Sequence, residues 1–319
     1  MTKRFTDDEF VSAWKQSGGV PAQVSRNLNL PLRNVYARRR SIEQRLGILL
    51  DSANPGKISR PKAHVTKIGF RITEDVTGPI VVFSDMHSWP GDRSTAFDAM
   101  IKLIPKLNPA MVVCGGDSFD GARISRHPPG GWADLPEVAD ELAAVQELHG
   151  EIEHIAPEKC KLIWSVGNHD SRFTSRLAQM APEYVGVHGT DITDHFPAWN
   201  FCWSLWLNGH TVVKHRWNAG VHGAYNNVLK SGKNIVTGHT HRLHATMFSD
   251  YNGLRFGVET GTMSDFGPEN DRYAYAEDSP TNWSQGFVVL TFAKDGMLLE
   301  PEFCRVINGK AYFRGEVVS

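Results

Sequence analysis

Cysteine is scarce in this chain: four in 319 residues (Cys114, Cys160, Cys202 and Cys304), widely spaced and without a CxxC pair. That pattern excludes a disulfide framework as the source of stability. Long hydrophobic runs are missing as well. The apolar stretches IVVF and GFVVLTF fall far short of the roughly 20 residues that span a bilayer. The opening MTKRFTDDEF is too polar for a secretory leader, and there is no internal repeat or low-complexity tract. A reducing, cytoplasmic setting with no membrane partner is therefore expected.

The bulk figures, 41% apolar, 22% charged and net charge −1, are those of an ordinary globular protein and name no function. Length is more informative, because 319 residues exceed what one core usually holds and predict one large domain with a smaller module. Charge divides the same way. Residues 1–72 carry 14 Lys and Arg against 5 Asp and Glu, while residues 73–319 carry 20 against 30. A basic head on an acidic body implies two modules with different partners.

In the head, Thr6-Asp7-Asp8-Glu9 has the form of a capping box and opens a first helix with Phe10, Val11 and Trp14 on its apolar face, ending near Gly18-Gly19. Pro21 suits the first turn of a second helix. Asn29 then stands where a turn needs the left-handed conformation, and a third helix follows from Pro31. The run VSRNLNLPLRNVYARRR resembles the helix-turn-helix modules of DNA-binding proteins and recombinases, with Ser25 and Asn29 at the small and turn positions and Leu28, Leu30 and Val35 buried. The resemblance implies that the third helix enters the major groove, presenting Arg33, Asn34, Tyr36, Arg38, Arg39 and Arg40 to DNA. The domain reading is a helix-turn-helix unit over 1–50, a linker with a possible first strand over 51–77, and a catalytic domain over 78–319.

From residue 78 short β-rich runs alternate with amphipathic stretches, an α/β pattern. Polar clusters follow the strands: Asp85-Met86-His87 after IVVF, Gly115-Gly116-Asp117 after MVVC, and Gly167-Asn168-His169-Asp170 after KLIWSV. His215 ends the run TVVKH, and Gly238-His239-Thr240-His241 follows NIVT. Sites in such sheets gather at the carboxyl ends of strands. At the fourth position His215, which directly ends a strand, is favoured over His222, which lies past a glycine. His244, starting the next strand, is set aside.

The order DxH, GD, GNHD, H, GHxH over residues 80–242 resembles the calcineurin-like metallophosphoesterase superfamily. That resemblance implies an α/β fold, a two-sheet αββα sandwich preceded here by the small all-α head. It also implies two divalent ions, Mn²⁺ foremost with Fe, Zn²⁺ or Mg²⁺ as alternatives, bridged by Asp117. Asp85, His87 and His241 would complete one ion's ligands, and Asn168, His215 and His239 the other's. A hydroxide activated by both metals would attack phosphorus, with His169 as general acid oriented by Asp170. Arg123, Arg126, His127 and Arg172 follow these loops as substrate contacts, and Trp89 and Trp132 lie on long loops near them.

The DNA-reading head makes a DNA-acting phosphodiesterase or nuclease the leading expectation. The arrangement resembles phage-encoded metallophosphoesterases and, more distantly, repair nucleases, which places a phage-encoded chain in the host cytoplasm. Two alternatives stay open: a phosphomonoesterase similar to the serine/threonine protein phosphatases, and a catalytically inert DNA-binding regulator.

Overall fold

A computed structural model describes residues 5–19, 21–48, 50, 68–126, 134–266 and 281–318. The chain divides into two compact units, residues 1–64 and 65–319. Among the described residues no helix is long and apolar enough to cross a membrane.

The first unit holds α1 (Asp7–Gln16), α2 (Pro21–Leu28) and α3 (Leu32–Leu46). At the start of α1 the Glu9 amide donates to the Thr6 hydroxyl at 3.2 Å and the Thr6 amide to the Glu9 carboxylate at 2.6 Å, a complete capping box. Phe10 and Trp14 meet Val24, Val35, Ile42 and Leu50 in a small core. Asn29 adopts φ +49° between α2 and α3, and the Ser25 hydroxyl closes that turn by donating to the Leu30 carbonyl at 2.6 Å.

The third helix is less free than its run of arginines implies. Arg38 donates to the Phe5 carbonyl and lies near Asp7, while Arg39 bonds Glu43 at 2.8 Å and the Leu50 carbonyl at 2.7 Å and stacks over Trp14. Both guanidinium groups hold the unit together, which corrects their reading as DNA contacts. Asn34, Tyr36 and Arg40 are exposed. The Arg33 side chain lies outside the described atoms.

The second unit is built on two packed sheets. The larger contains β2 (Gly78–Phe83), β3 (Met111–Cys114), β4 (Lys161–Ser165), β5 (Asn200–Cys202), β11 (Gly286–Phe292), β12 (Glu302–Ile307), β13 (Lys310–Phe313) and β14 (Glu316–Val317), in the order β14-β13-β12-β11-β2-β3-β4-β5. The smaller has β1 (Ile72–Glu74), β6 (Leu205–Leu207), β7 (Thr211–Lys214), β8 (Asn234–Thr237), β9 (Leu243–Asp250) and β10 (Gly253–Thr260), in the order β1-β6-β7-β8-β10-β9. The possible first strand of the 51–77 stretch is thus short, and residues 51–67 lie outside those described.

Strand periodicity explains the uninterrupted apolar runs. Ile80, Val82, Met111, Val113, Val288 and Leu290 face the second sheet, while Val81, Phe83, Val112, Cys114, Phe287 and Val289 face helices α4 (Thr95–Leu107) and α5 (Val138–Ile155). Central strands buried on both faces need apolar residues at every position. On the far side of the second sheet, α7 (Gly223–Ser231) packs onto β8, β9 and β10 after α6 (Asp170–Met180) has passed. The α7 backbone comes so close to β10 that a Cβ at Gly257 would stand 2.2 Å from the Ala224 carbonyl oxygen. The result is the helix, sheet, sheet, helix sandwich.

Candidate metal centre

The parallel neighbours β2, β3 and β4 in one sheet and β7 and β8 in the other bring five strand ends to one end of the sandwich. Their loops are tied to one another through the backbone. The Asp85 amide donates to the Gly116 carbonyl at 2.8 Å, the His87 amide to the Asp117 carbonyl at 3.0 Å, and the His239 amide to the Asp85 carboxylate at 2.9 Å. These bonds hold an unusual backbone. Asp85 (φ +55°), His87 (+43°), Asp117 (+56°), His239 (+69°) and His241 (+56°) all occupy the left-handed region. Asp and His tolerate that region better than most residues, yet five together are retained only where the surroundings over-determine them.

Glycines let the loops touch. A Cβ at Gly167 would lie 2.0 Å from an Asp117 carboxylate oxygen, and one at Gly238 2.7 Å from Asp85 Oδ2. Gly238 has no positive φ and serves close approach of the loops.

Two half-sites result. Asp85, His87 and His241 converge in one, Asp117, His215 and His239 in the other. His241 Nε2 stands 3.3 Å from Asp85 Oδ1 and 3.2 Å from His87 Nε2, and His215 Nε2 stands 2.9 Å from Asp117 Oδ2. Asn168 Oδ1 and His215 Nε2 are buried without a hydrogen-bond partner, and the Nδ1–H of His215 is spent on the Gly115 carbonyl at 2.9 Å. Buried orphan acceptors among ionised carboxylates and facing ring nitrogens are what a divalent cation would satisfy, so this donor set fits metal. Burial pushes the Asp85 and Asp117 carboxyls up, but the imidazoles of His241 and His215 outweigh it and hold both below the usual carboxylate range. His239 is held below the ordinary imidazole value by burial, then by the charge of His215 and, more weakly, of Arg216. His222 is exposed beside α7, and His244 is exposed on β9.

Asp170 does not orient His169. Its buried carboxylate accepts from the amides of Asp117 (2.8 Å), Ser118 (3.0 Å), Phe119 (3.1 Å) and Gly167 (2.8 Å) and from the Trp164 indole (2.9 Å). As the first residue of α6 it faces back toward the GD loop and away from the ring of its neighbour. The partner of His169 is Asp120, whose Oδ1 lies 2.7 Å from His169 Nδ1 and 2.9 Å from His87 Nδ1. Burial alone would depress His169, but the Asp120 hydrogen bond and the charges of Asp117 and Asp120 raise it above the ordinary value. Spacing could not choose between Asp120 and Asp170, since both are carboxylates within a few residues of a motif.

Of the arginines, Arg172 bonds the Asp120 carbonyl at 2.8 Å and reaches His169 Nε2 at 3.1 Å. Arg123 is turned away, donating to the carbonyls of Leu135 and Pro136 and pairing with Glu137, which corrects its reading as a substrate contact. Arg126 is exposed and Trp89 half-buried. His127 and Trp132 lie outside the described residues. Arg242 anchors the GHTH loop on the buried Glu259 at 2.7 Å.

Two supports went unnoticed in the sequence because each lies on a helix face without a motif. His149 on α5 stacks on Trp164 with ring centroids 4.4 Å apart, and burial drives it down to about 3, so it is a neutral core imidazole. Glu141, also on α5, accepts from the Gly121 amide below Asp120, and burial raises its carboxyl to about 7.

A model of the calcineurin-like phosphoesterase family matches residues 78–261. The Gene 54 protein of Mycobacterium phage L5 is 26% identical over 270 residues, covering 75% of this chain and 97% of that protein. Its counterpart in Mycobacterium phage D29 is 25% identical over 265 residues, with the same shares covered. Among solved structures, Vps29 of Chaetomium thermophilum is similar at 12% identity and a TM-score of 0.41, covering 76% of this chain and 97% of that one.

Asp170→Ala strips five N–H groups of their acceptor and is expected to cost about 3 kcal/mol or more in urea unfolding. A loss below 1 kcal/mol would contradict the clamp. Glu141 holds its proton in the folded state up to about pH 7 but loses it near 4.5 when unfolded, so its stabilising preference is present at low pH and fades as pH rises through that window. Glu141→Gln should therefore match the wild type near pH 4.5 and exceed it at pH 8 by up to about 3 kcal/mol. Unfolding curves with the same offset at both pH values would refute the assignment.

Proposed function

We propose that this chain, which belongs to the calcineurin-like phosphoesterase family, is a phosphodiesterase that acts on DNA. It is a metal-dependent phosphoesterase. Asp85, His87 and His241 would hold one ion and Asn168, His215 and His239 the other, with Asp117 shared, and Mn²⁺ suits this mixed oxygen and nitrogen set. When bound, the pair supplies Lewis acidity at the phosphoryl oxygens and an acidic water for attack at phosphorus.

The remaining chemistry falls to the chain's own side chains. Asp120 fixes the His169 ring by accepting from Nδ1–H, so Nε2, which accepts from Arg172 in this structure, is the atom that takes up and passes on a proton once Arg172 turns to a phosphoryl oxygen. As the phosphorus–oxygen ester bond breaks, that proton passes to the leaving oxygen, and His169 recovers one from solvent water. Arg172, beside Nε2, is placed to receive a phosphoryl oxygen in a charge-assisted hydrogen bond. The half-buried Trp283, edge-on to His241 with ring centroids 4.4 Å apart, walls the first half-site.

DNA as substrate is supported by one observation above others: the same chain carries this centre and a three-helix unit whose last helix exposes Asn34, Tyr36 and Arg40. Asparagine and arginine are the side chains that read adenine and guanine, and the sharp α2–α3 turn at Asn29 fits a helix-turn-helix.

The test is an Mn²⁺-dependent assay on linear duplex DNA, single-stranded DNA, a phosphodiester dye and a phosphomonoester dye. Hydrolysis of DNA and the diester is expected, and His169→Ala should retain its metal while losing activity by about 10²-fold to 10⁴-fold. Turnover of the monoester alone would overturn the phosphodiesterase reading in favour of a phosphatase.

A further inference from the structure

The totals for residues 73–319 conceal where the charge lies. Residues 73–319 carry 20 Lys and Arg against 30 Asp and Glu, yet residues 195–249 contain no Asp or Glu at all. That stretch includes β5 to β8, α7 and nearly all of β9. Its cations are Lys214, Arg216, Lys230, Lys233 and Arg242. Arg242 is paired with Glu259, and Lys233 bonds the Gly209 carbonyl at the end of the sheet away from the metal centre. The other three gather around one loop, residues 216–222, which leaves β7 directly after His215.

This loop is pinned rather than loose. The buried Asn227 accepts from the Asn218 amide at 2.9 Å and side chain at 2.7 Å, and its own amide group donates back to the Asn218 carbonyl at 3.2 Å. Arg242 holds the Gly220 carbonyl at 2.8 Å, and Lys230 reaches the Asn218 side chain at 2.9 Å. On this fixed support Trp217 remains 45% exposed, with the Lys214 ammonium 5.8 Å from its ring centre. A large aromatic ring kept in water on a rigid loop, among cations and beside a phosphoester centre, has the composition of a base-stacking platform.

We propose that this acid-free flank is the path of a single nucleic acid strand past the Asp117, His215 and His239 half-site, with a base stacked on Trp217 and phosphates on Lys214, Arg216 and Lys230. The proposal rests on the DNA-directed reading and carries it further, because stacking on an exposed ring requires a base already free of its duplex partner. A phosphoserine peptide offers a dianion but no flat face for Trp217. The overall negative charge of the unit is no obstacle, because the strand meets cations on the side where it approaches the centre.

A short single-stranded oligothymidylate carrying 4-thiothymidine, photocrosslinked to the Mn²⁺-loaded full chain with His169→Ala to prevent cleavage, tests the path. Cross-links are expected in the tryptic peptide 217–230, which starts at Trp217. Trp217→Ala and Arg216→Gln should each weaken oligonucleotide binding by about 10-fold. Lys294→Gln, exposed at the opposite end of the sheet after β11, should leave it unchanged. Cross-links confined to residues 1–50, unchanged affinity in both loop variants, or binding of a phosphoserine peptide in place of the oligonucleotide would each overturn the proposal. Wild-type turnover of a small phosphodiester is scored in parallel. Its absence overturns the phosphodiesterase reading, whereas its presence with cross-links elsewhere overturns the strand path alone.

Discussion

The carboxylate of Asp170 is buried at the junction of β3, β4 and α6, where it gathers N–H groups from the GD loop, the GNHD loop and Trp164. The GD and GNHD loops at the catalytic end of the sandwich lean on that junction. With the loop held, Asp117 can keep a left-handed backbone, receive the His169 amide at 2.7 Å and still aim its carboxylate at His215. With Asp117 held, its carbonyl accepts the His87 amide, and strain at one ligand is supported by the next. A metal centre assembled from five loops needs such cross-bracing, because none of its residues sits inside a regular element.

The fold and the donor set were largely legible in the chain because they depend on residue identity at strand ends. A Gly before Asn-His or His is required where another loop's carboxylate would otherwise collide with a Cβ, and that requirement leaves a mark in the sequence. Facing was not legible. Asp170 follows His169 directly and looks like its partner, yet the first turn of α6 points the two side chains apart, and Asp120 comes in from the loop after β3. Arg38 and Arg39 read as groove contacts within a basic run, but a small unit with a core of a few side chains uses the stems and charges of its longest residues to close itself. Glu141 and His149 had no motif because their work is to fill and support.

Charge shows the same contrast between totals and placement. A count over residues 73–319 argues against a polyanionic substrate. The stretch from 195 to 249 has the opposite character, and it supplies His215, His239 and His241 along with Lys214, Arg216 and Lys230 around one braced loop that carries the exposed Trp217. Field at a site depends on the charges that face it, not on the sum over the domain.

The central claim is that five loops build two half-sites that hold two divalent ions in one chain. Metal content by mass spectrometry after Mn²⁺ loading and desalting, for the wild type beside His241→Ala and His239→Ala, tests this most directly. Two ions per wild-type chain and one in each folded variant is the predicted result. One ion or none in the wild type, or two retained in both variants, would contradict it.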